Sequence, residues 1–152
     1  MKWLLPFLFS CAPWVLPAQT YQEKAIAAVL MGEAWSEGVQ GMSAVAEVIH
    51  QRALEKGWTP LHVVTAHRGR IHAFSCLNGT SLDHLIQKFS AQPDYRRALQ
   101  LAKTVCCDPN RLPGLTRSAN HYTRATERPA WAAGRQPVIV IGRHAFYRLK
   151  HY

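Results

Sequence analysis

Acidic residues are scarce in this chain of 152 residues: nine Asp and Glu stand against 18 Lys and Arg, which gives a formal net charge of +9. Charged residues of both signs make up only 18% of the sequence and 48% is apolar, a balance that excludes an intrinsically disordered protein. Four cysteines are too few for a small disulfide-rich scaffold. The length instead predicts one domain with a hydrophobic core of its own.

Apolar runs long enough to span a membrane are also absent, and the apolar run at the N-terminus is short. It starts with the positive pair Met1-Lys2, continues through an apolar stretch that prolines interrupt, and ends in small residues. Because a spanning helix needs about 20 apolar residues, we expect no transmembrane segment in the mature protein. Residues 1–20 are predicted to be a secretory signal and residues 21–152 the mature domain, exported to the periplasm or cell wall. A lipoprotein acylated at Cys11 is the alternative.

Motifs for metal, nucleotide and serine-hydrolase chemistry are missing. The sequence contains no His-Glu-x-x-His or Cys-x-x-Cys spacing, no Gly-x-Ser-x-Gly and no phosphate-binding glycine loop. We therefore expect neither a metal ion nor another cofactor.

Positive charge is concentrated in the C-terminal half. From Arg96 onward, eleven Lys or Arg residues are opposed only by Asp108 and Glu127. An exported protein rarely meets nucleic acid, and the aromatic-basic motifs of single-strand binders are missing, so anionic wall polymers are the expected partners of this half. The alternative is that the spaced arginines only solvate the surface.

Hydrophobic periodicity changes along the chain from a helical to a strand pattern. It predicts helices at residues 21 to about 33, 39–56, 60–66 and 95 to about 105, with a break at Ser36-Glu37-Gly38. Two β-rich runs, 138–141 and 144–147, flank Gly142-Arg143, which predicts a type II′ hairpin, and residues 119–124 predict another strand. We therefore expect an α+β fold, with a helical N-terminal part packed on a small antiparallel sheet.

Glu33 stands out among the carboxylates because its sequence neighbours are apolar or aromatic. It follows Ala27-Ala28-Val29-Leu30-Met31-Gly32 and precedes Ala34-Trp35. Such surroundings disfavour the charged form of a carboxylate, so that it can hold a proton near neutral pH, as a glycosidic general acid must. The alternative is a Glu at a helix end that points into solvent.

An ordered set of motifs resembles the SleB-like cell wall hydrolases, the family of the spore-cortex-lytic enzymes. The resemblance rests on Gly32-Glu33-Ala34-Trp35-Ser36-Glu37 with Gly41, Ala44-Val45-Ala46, Val48-Ile49 and Arg52, then Phe74-Ser75-Cys76 with Asn78, His121-Tyr122, Pro129 with Trp131-Ala132, and Ile141-Gly142 with His144 and Phe146-Tyr147-Arg148. It implies a lysozyme-like or lytic-transglycosylase-like catalytic domain that acts on peptidoglycan glycan strands. The catalytic Glu of the family's Gly-Glu-Ala motif carries over to Glu33.

The mechanism depends on whether a second carboxylate serves the site. Glycosidases that hydrolyse need one at ~5 Å if they retain configuration, or ~6.5–9.5 Å if they invert it. Glu37, Asp83 and Asp108 are candidates, but none lies in a motif comparable to that of Glu33. We therefore expect a lytic transglycosylase that uses one carboxylate and forms 1,6-anhydromuramyl products. A two-carboxylate hydrolase and a non-catalytic wall-binding protein are the alternatives.

Several further motif residues are candidates for substrate binding. Polar or aromatic side chains that can hydrogen-bond to sugars or stack on them are supplied by Tyr122, His121, Ser75, Asn78, Trp131 and Tyr147. For Tyr122 and Trp131, packing in the core is the alternative. Tyr147 and Phe146 alternate along a predicted strand, so one faces the core and the other can face the cleft.

Three cysteines remain after the predicted signal is removed. In an oxidising compartment we expect Cys76 to pair with Cys106 or Cys107, because a bridge between the two adjacent cysteines would strain the peptide. Three reduced cysteines are the alternative. We expect the mature protein to be a monomer.

Overall fold

Helices dominate the computed structural model, which describes residues 18–150, so that nearly all of the predicted signal and Cys11 lie outside the described residues. Its five α-helices are α1 (Tyr21–Ala34), α2 (Gly38–Lys56), α3 (Pro60–Thr65), α4 (Leu82–Ser90) and α5 (Tyr95–Cys107). Its strands are β1 (His67–Arg68), β2 (Ile71–His72), β3 (His121–Arg124), β4 (Ile139–Ile141) and β5 (His144–Tyr147). Within these residues, no helix is both long and apolar enough to cross a membrane.

Helix α1 forms the centre of the core. It begins with a capping box, in which the Thr20 hydroxyl accepts from the Glu23 amide while the Glu23 carboxylate accepts from the Thr20 amide. Residues 25–31 are all buried, because α1 packs against each of the other four helices. This arrangement explains why the helix is apolar on every side rather than amphipathic.

The predicted break between the first two helices is confirmed. A 3-10 turn, Trp35–Glu37, separates α1 from α2, and Gly38 follows it with a φ of 65°, a conformation that favours glycine. Helix α2 then ends at Gly57, which is left-handed.

Two elements are missing from the sequence-based prediction. Helix α4 is capped by Ser81, whose hydroxyl accepts from the His84 amide, and it buries Leu85 and Phe89. The short hairpin of β1 and β2 turns at Gly69-Arg70. An N-cap serine followed by apolar residues at helical spacing signals α4, whereas two-residue strands leave almost no periodic pattern.

The α+β prediction is confirmed by a three-stranded antiparallel sheet in the order β3-β5-β4. Gly142 has a φ of 56°, while Arg143 is not left-handed, as a type II′ rather than a type I′ turn requires. One face of the sheet places Phe146 and Tyr122 against Ala44 and Val48 of α2. The sheet therefore packs on the helices through the face that carries Tyr122.

A buried carboxylate fixes the long connection between α5 and β3. Glu47 of α2 is 7% exposed and accepts hydrogen bonds from the Leu115 amide at 2.8 Å and from the Thr116 amide and hydroxyl at 2.7 Å each. Next to it, the Arg52 guanidinium donates to the Asn120 carbonyl oxygen at 2.6 Å. These bonds hold the start of β3 against α2.

The expected disulfide is absent, because Cys76, Cys106 and Cys107 are all free. Cys76 lies beside Gly32 near the end of α1, whereas the Cys106 sulfur accepts from Gln22 near its start, at 3.2 Å. Ten residues of helix separate those two contacts by about 15 Å, far beyond the reach of an S–S bond. The pairing of Cys76 with Cys106 or Cys107 is therefore wrong in this fold.

The role of Glu47 is tested by Glu47→Gln, which we expect to destabilise the fold by about 2–4 kcal/mol, because the new amide group would face backbone donors. Urea unfolding measures the change. Glu23→Gln is the matched control and should change the free energy of unfolding by less than about 0.5 kcal/mol, since its amide oxygen can still accept. Equal stability of the two variants would contradict the anchoring role of Glu47.

The free state of the cysteines is tested by alkylating the unreduced, denatured protein and mapping its peptides by mass spectrometry. We expect Cys76, Cys106 and Cys107 all to carry the label. A peptide pair linked through Cys76 would show that the sequence-based pairing was right and that this packing is not adopted.

Candidate active site

Glu33 lies in the last turn of α1 and is held by groups from two other parts of the chain. Its Oε1 accepts from the Cys76 amide at 2.7 Å and from the Ser75 hydroxyl at 3.1 Å. Its Oε2 accepts from the Tyr122 hydroxyl at 2.7 Å. The carboxylate is partly exposed, so it is fixed in position and still reachable.

Gly32 explains how the backbone of Cys76 comes so close to Glu33. A Cβ atom at position 32 would stand 2.7 Å from the Cys76 Cβ and 3.0 Å from its sulfur, which is closer than side chains pack. The Gly-Glu pair therefore combines an opening for the neighbouring backbone with the carboxylate that this backbone binds. Burial and the nearby charge of Glu33 raise the pKa of the Cys76 thiol, so this sulfur is not a thiolate nucleophile at neutral pH.

Tyr122 stays a hydroxyl donor at all ordinary pH values. Burial, followed by the charge of Glu33 and the hydrogen bond to it, raises the pKa of Tyr122 well above its usual value. The Cys76 amide can only donate, whereas a tyrosine hydroxyl can donate or accept. Tyr122 can therefore bond to Oε2 of Glu33 whether or not this oxygen carries a proton. Oε2 is thus the oxygen that can hold the proton to be transferred.

A polar cavity of about 450 Å³ opens over Glu33. One wall is formed by α1, α2 and the segment after β2, with Gly32, Glu33, Arg52, Ala73 and Ser75. The other, which we call the sheet wall, is formed by β3, the turn after it and β5, with Tyr122, Thr123, Arg124, Glu127 and His144. This volume lies in the range of small-molecule and sugar-sized sites.

A second cavity, of about 380 Å³, adjoins the first through three shared residues, Arg52, Ala73 and Tyr122. It is richer in aromatic groups and is lined also by Lys56, Trp58, Val63, Ala66, His121 and Trp131. Burial, and then the positive charges of Arg52 and Lys56, lower the pKa of His121 to about 4, so its ring is neutral near pH 7. Together the two cavities form one cleft that continues past Glu33.

The structure brings most of the predicted binding residues to this cleft, but not all of them. Ser75 and Tyr122 contact Glu33, and His121 and Trp131 line the second cavity. Asn78 accepts from the His72 amide at 2.9 Å and so fixes the β1–β2 hairpin beside the cleft. Tyr147 is buried on the other face of the sheet, against Trp131, and lines neither cavity.

The other carboxylates considered from sequence lie outside this cavity. Glu37 is nearly buried and accepts from the Arg143 amide at 2.8 Å. Asp83 accepts from the Tyr21 hydroxyl at 3.0 Å, and Asp108 follows the end of α5. Glu127, which was not among those candidates, does line the cavity, where its Oε2 accepts from the Thr123 hydroxyl at 3.0 Å.

Among residues 18–150, no three His, Cys, Asp or Glu side chains group so that they could hold a metal ion.

The sequence profile of the Cell Wall Hydrolase family matches residues 36–147, about three quarters of the chain. The chain belongs to this SleB-like family of cell wall hydrolases. No curated protein and no solved structure gives a significant match. Glu33 lies three residues before the matched range, so its assignment within the family fold depends on the contacts described above. Membership in a cell wall hydrolase family makes the chain a peptidoglycan-active hydrolase in general terms.

The hydrogen bond from Tyr122 is tested by Tyr122→Phe, which removes one donor to Glu33 and leaves the ring in place. A hydrogen bond to a charged group is worth about 1.5–3 kcal/mol, so wall-clearing activity should fall about tenfold to a hundredfold. Tyr21→Phe is the control, since its hydroxyl donates to Asp83 at 3.0 Å, away from the cleft. A folded Tyr122→Phe protein with unchanged activity would show that this bond does not support the reaction.

Proposed function

We propose that this protein is a secreted enzyme that cleaves the glycan strands of peptidoglycan, with Glu33 as the general acid. The observation that carries the proposal is the Glu33 carboxylate, held by three donors in the wall of a polar cavity. Its place in a cell wall hydrolase family supports the choice of substrate.

The proposed reaction is that of a lytic transglycosylase. Glu33 donates a proton to the glycosidic oxygen, the C1–O bond breaks, and the C6 hydroxyl of the muramic residue attacks C1. The hydroxyl proton leaves to a base, and deprotonated Glu33 can itself accept it. Because the nucleophile belongs to the substrate, the protein needs no second carboxylate to position a water. The product carries a 1,6-anhydro ring.

One observation favours hydrolysis as a second candidate. Glu127 lies on the sheet wall of the cavity that contains Glu33, and a second carboxylate across a cavity is what a water-activating base requires. Glu127 is however exposed, and its carboxylate accepts from the hydroxyl of Thr123, which lies on the face of the sheet opposite to Tyr122. This position favours the scheme with one acid over a retaining or inverting pair.

We propose that the basic surface of the protein attracts the substrate. We also propose that the protein works as a monomer in the periplasm or wall. A groove of about 760 Å³ between α1, α4 and α5 is lined by Lys24, Arg96 and Arg97, among others. It is a candidate contact for anionic wall polymers, because a positive groove attracts polyanions.

Digestion of purified peptidoglycan in water labelled with heavy oxygen distinguishes the two reactions. We expect unlabelled 1,6-anhydromuropeptides as the main product, since no water enters the transglycosylase reaction. Labelled reducing ends in every product would overturn the transglycosylase scheme and favour a hydrolase that uses Glu127.

Glu33→Gln keeps the size of the side chain and removes its titratable proton. Turnover on a wall suspension should fall by about 10²–10⁴-fold or more, the usual contribution of general acid catalysis. Glu23→Gln, on the same helix, should clear the suspension at the wild-type rate. A Glu33→Gln protein that does the same would overturn the assignment of Glu33 as the general acid, and a wild-type protein that binds the wall without clearing it would leave the non-catalytic alternative.

A further inference from the structure

Four motif positions that the proposed reaction does not use meet at one point. Glu37 follows α1, Gly41 lies in the first turn of α2, and Gly142 and His144 flank the tip of the β4–β5 hairpin. A Cβ atom on Gly41 would stand 2.5 Å from the Glu37 Cβ, and one on Gly142 would stand 2.1 Å from the Glu37 Oε2. Both glycines therefore leave the space that the Glu37 side chain occupies.

Within this space, Glu37 holds the ring of His144. Oε1 of Glu37 lies 3.1 Å from Nδ1 of His144, and both side chains are at least nine-tenths buried. Oε2 of Glu37 accepts from the Arg143 amide, and its other oxygen lies 3.5 Å from the Arg143 Nε. The Glu37 carboxylate therefore faces Nδ1 as a nearby negative charge, although no hydrogen bond is formed to this nitrogen.

The His144 ring also belongs to the Glu33 cavity. His144 lines the cavity, and its ring packs edge-on against Tyr122 with 5.3 Å between centroids. Tyr122 in turn donates to Glu33. The arrangement therefore presents a buried imidazole, held beside a carboxylate, in the cavity of the candidate acid.

We propose that His144, oriented by Glu37, is the catalytic base that takes the proton from the attacking hydroxyl. This proposal rests on the proposed function and replaces one step of it, the return of that proton to Glu33. The Glu33 proton goes to the leaving oxygen as C1–O breaks, the C6 oxygen bonds to C1, and the hydroxyl proton passes to Nε2. Glu37 stabilises the resulting imidazolium, and water restores both groups between turnovers, as in other carboxylate–histidine pairs.

A purely structural role does not account for a histidine at position 144. The Arg143 amide and Ser36 hydroxyl, each bonded across the same contact, already tie the hairpin to the helices. Neither bond requires a histidine in the cavity of the candidate acid. A role in holding the hairpin and a role in catalysis therefore predict different outcomes for the loss of the ring.

Chemical rescue separates the two roles. His144→Ala should lower turnover about 10²–10⁴-fold. Added imidazole should raise the turnover of this variant at least tenfold, because it fills the space of the missing ring. Imidazole should not restore Glu33→Gln, and His84→Gln, on the exposed face of α4, should behave as wild type. A folded His144→Ala protein that imidazole does not rescue, or that keeps wild-type turnover, would overturn the proposal.

His144→Gln provides the second variant, for the case in which His144→Ala does not fold. Its amide can donate to Glu37 but cannot take up a proton, so we expect a stable protein with turnover reduced about 10²–10⁴-fold. Wild-type turnover in this variant would overturn the base assignment. If Glu33→Gln is inactive while His144→Gln is active, only this inference fails; if Glu33→Gln is active, the proposed function fails with it.

Discussion

The close approach of Cys76 to Gly32 is the contact on which the candidate site depends. Only a residue without a side chain lets the backbone after β2 reach the last turn of α1, where the Cys76 amide binds Glu33 at 2.7 Å. The approach also places the Ser75 hydroxyl on the same oxygen. Because of these bonds, the Glu33 carboxylate at the end of a buried helix does not extend freely into solvent. It is held in one position at the edge of a cavity.

The three-stranded sheet supplies the third hydrogen bond to Glu33, from the Tyr122 hydroxyl. Tyr122 reaches Glu33 because β3 is held at its start by the Arg52–Asn120 hydrogen bond and pairs with β5 in a register that sets Tyr122 opposite Phe146. Loss of this register would turn Tyr122 to the other face, since side chains alternate along a strand. The helical core therefore positions the acid, and the small sheet positions the group that bonds to it.

Local signals were enough to predict the helices on either side of Gly38 and the β4–β5 hairpin, and they singled out Glu33, which the structure places in the wall of a cavity. They could not place Glu37, because its partners, Arg143 and His144, are more than 100 residues away in sequence. The same limit applies to Glu127 and to the cysteines, whose distances depend on how α1 crosses the other elements. Asn78 and Tyr147 carried motif signals, yet these residues support the hairpin and the core rather than the cleft.

The central claim is that Glu33 meets the scissile bond of a glycan in the cleft beneath Tyr122. A crystal structure of Glu33→Gln with a bound peptidoglycan fragment tests it most directly. We expect a glycosidic oxygen within hydrogen-bond distance of the side chain at position 33, with sugar rings continuing toward Trp58 and Trp131. A glycan that binds only in the basic groove of Lys24, Arg96 and Arg97, with the Glu33 cavity empty, would contradict the account.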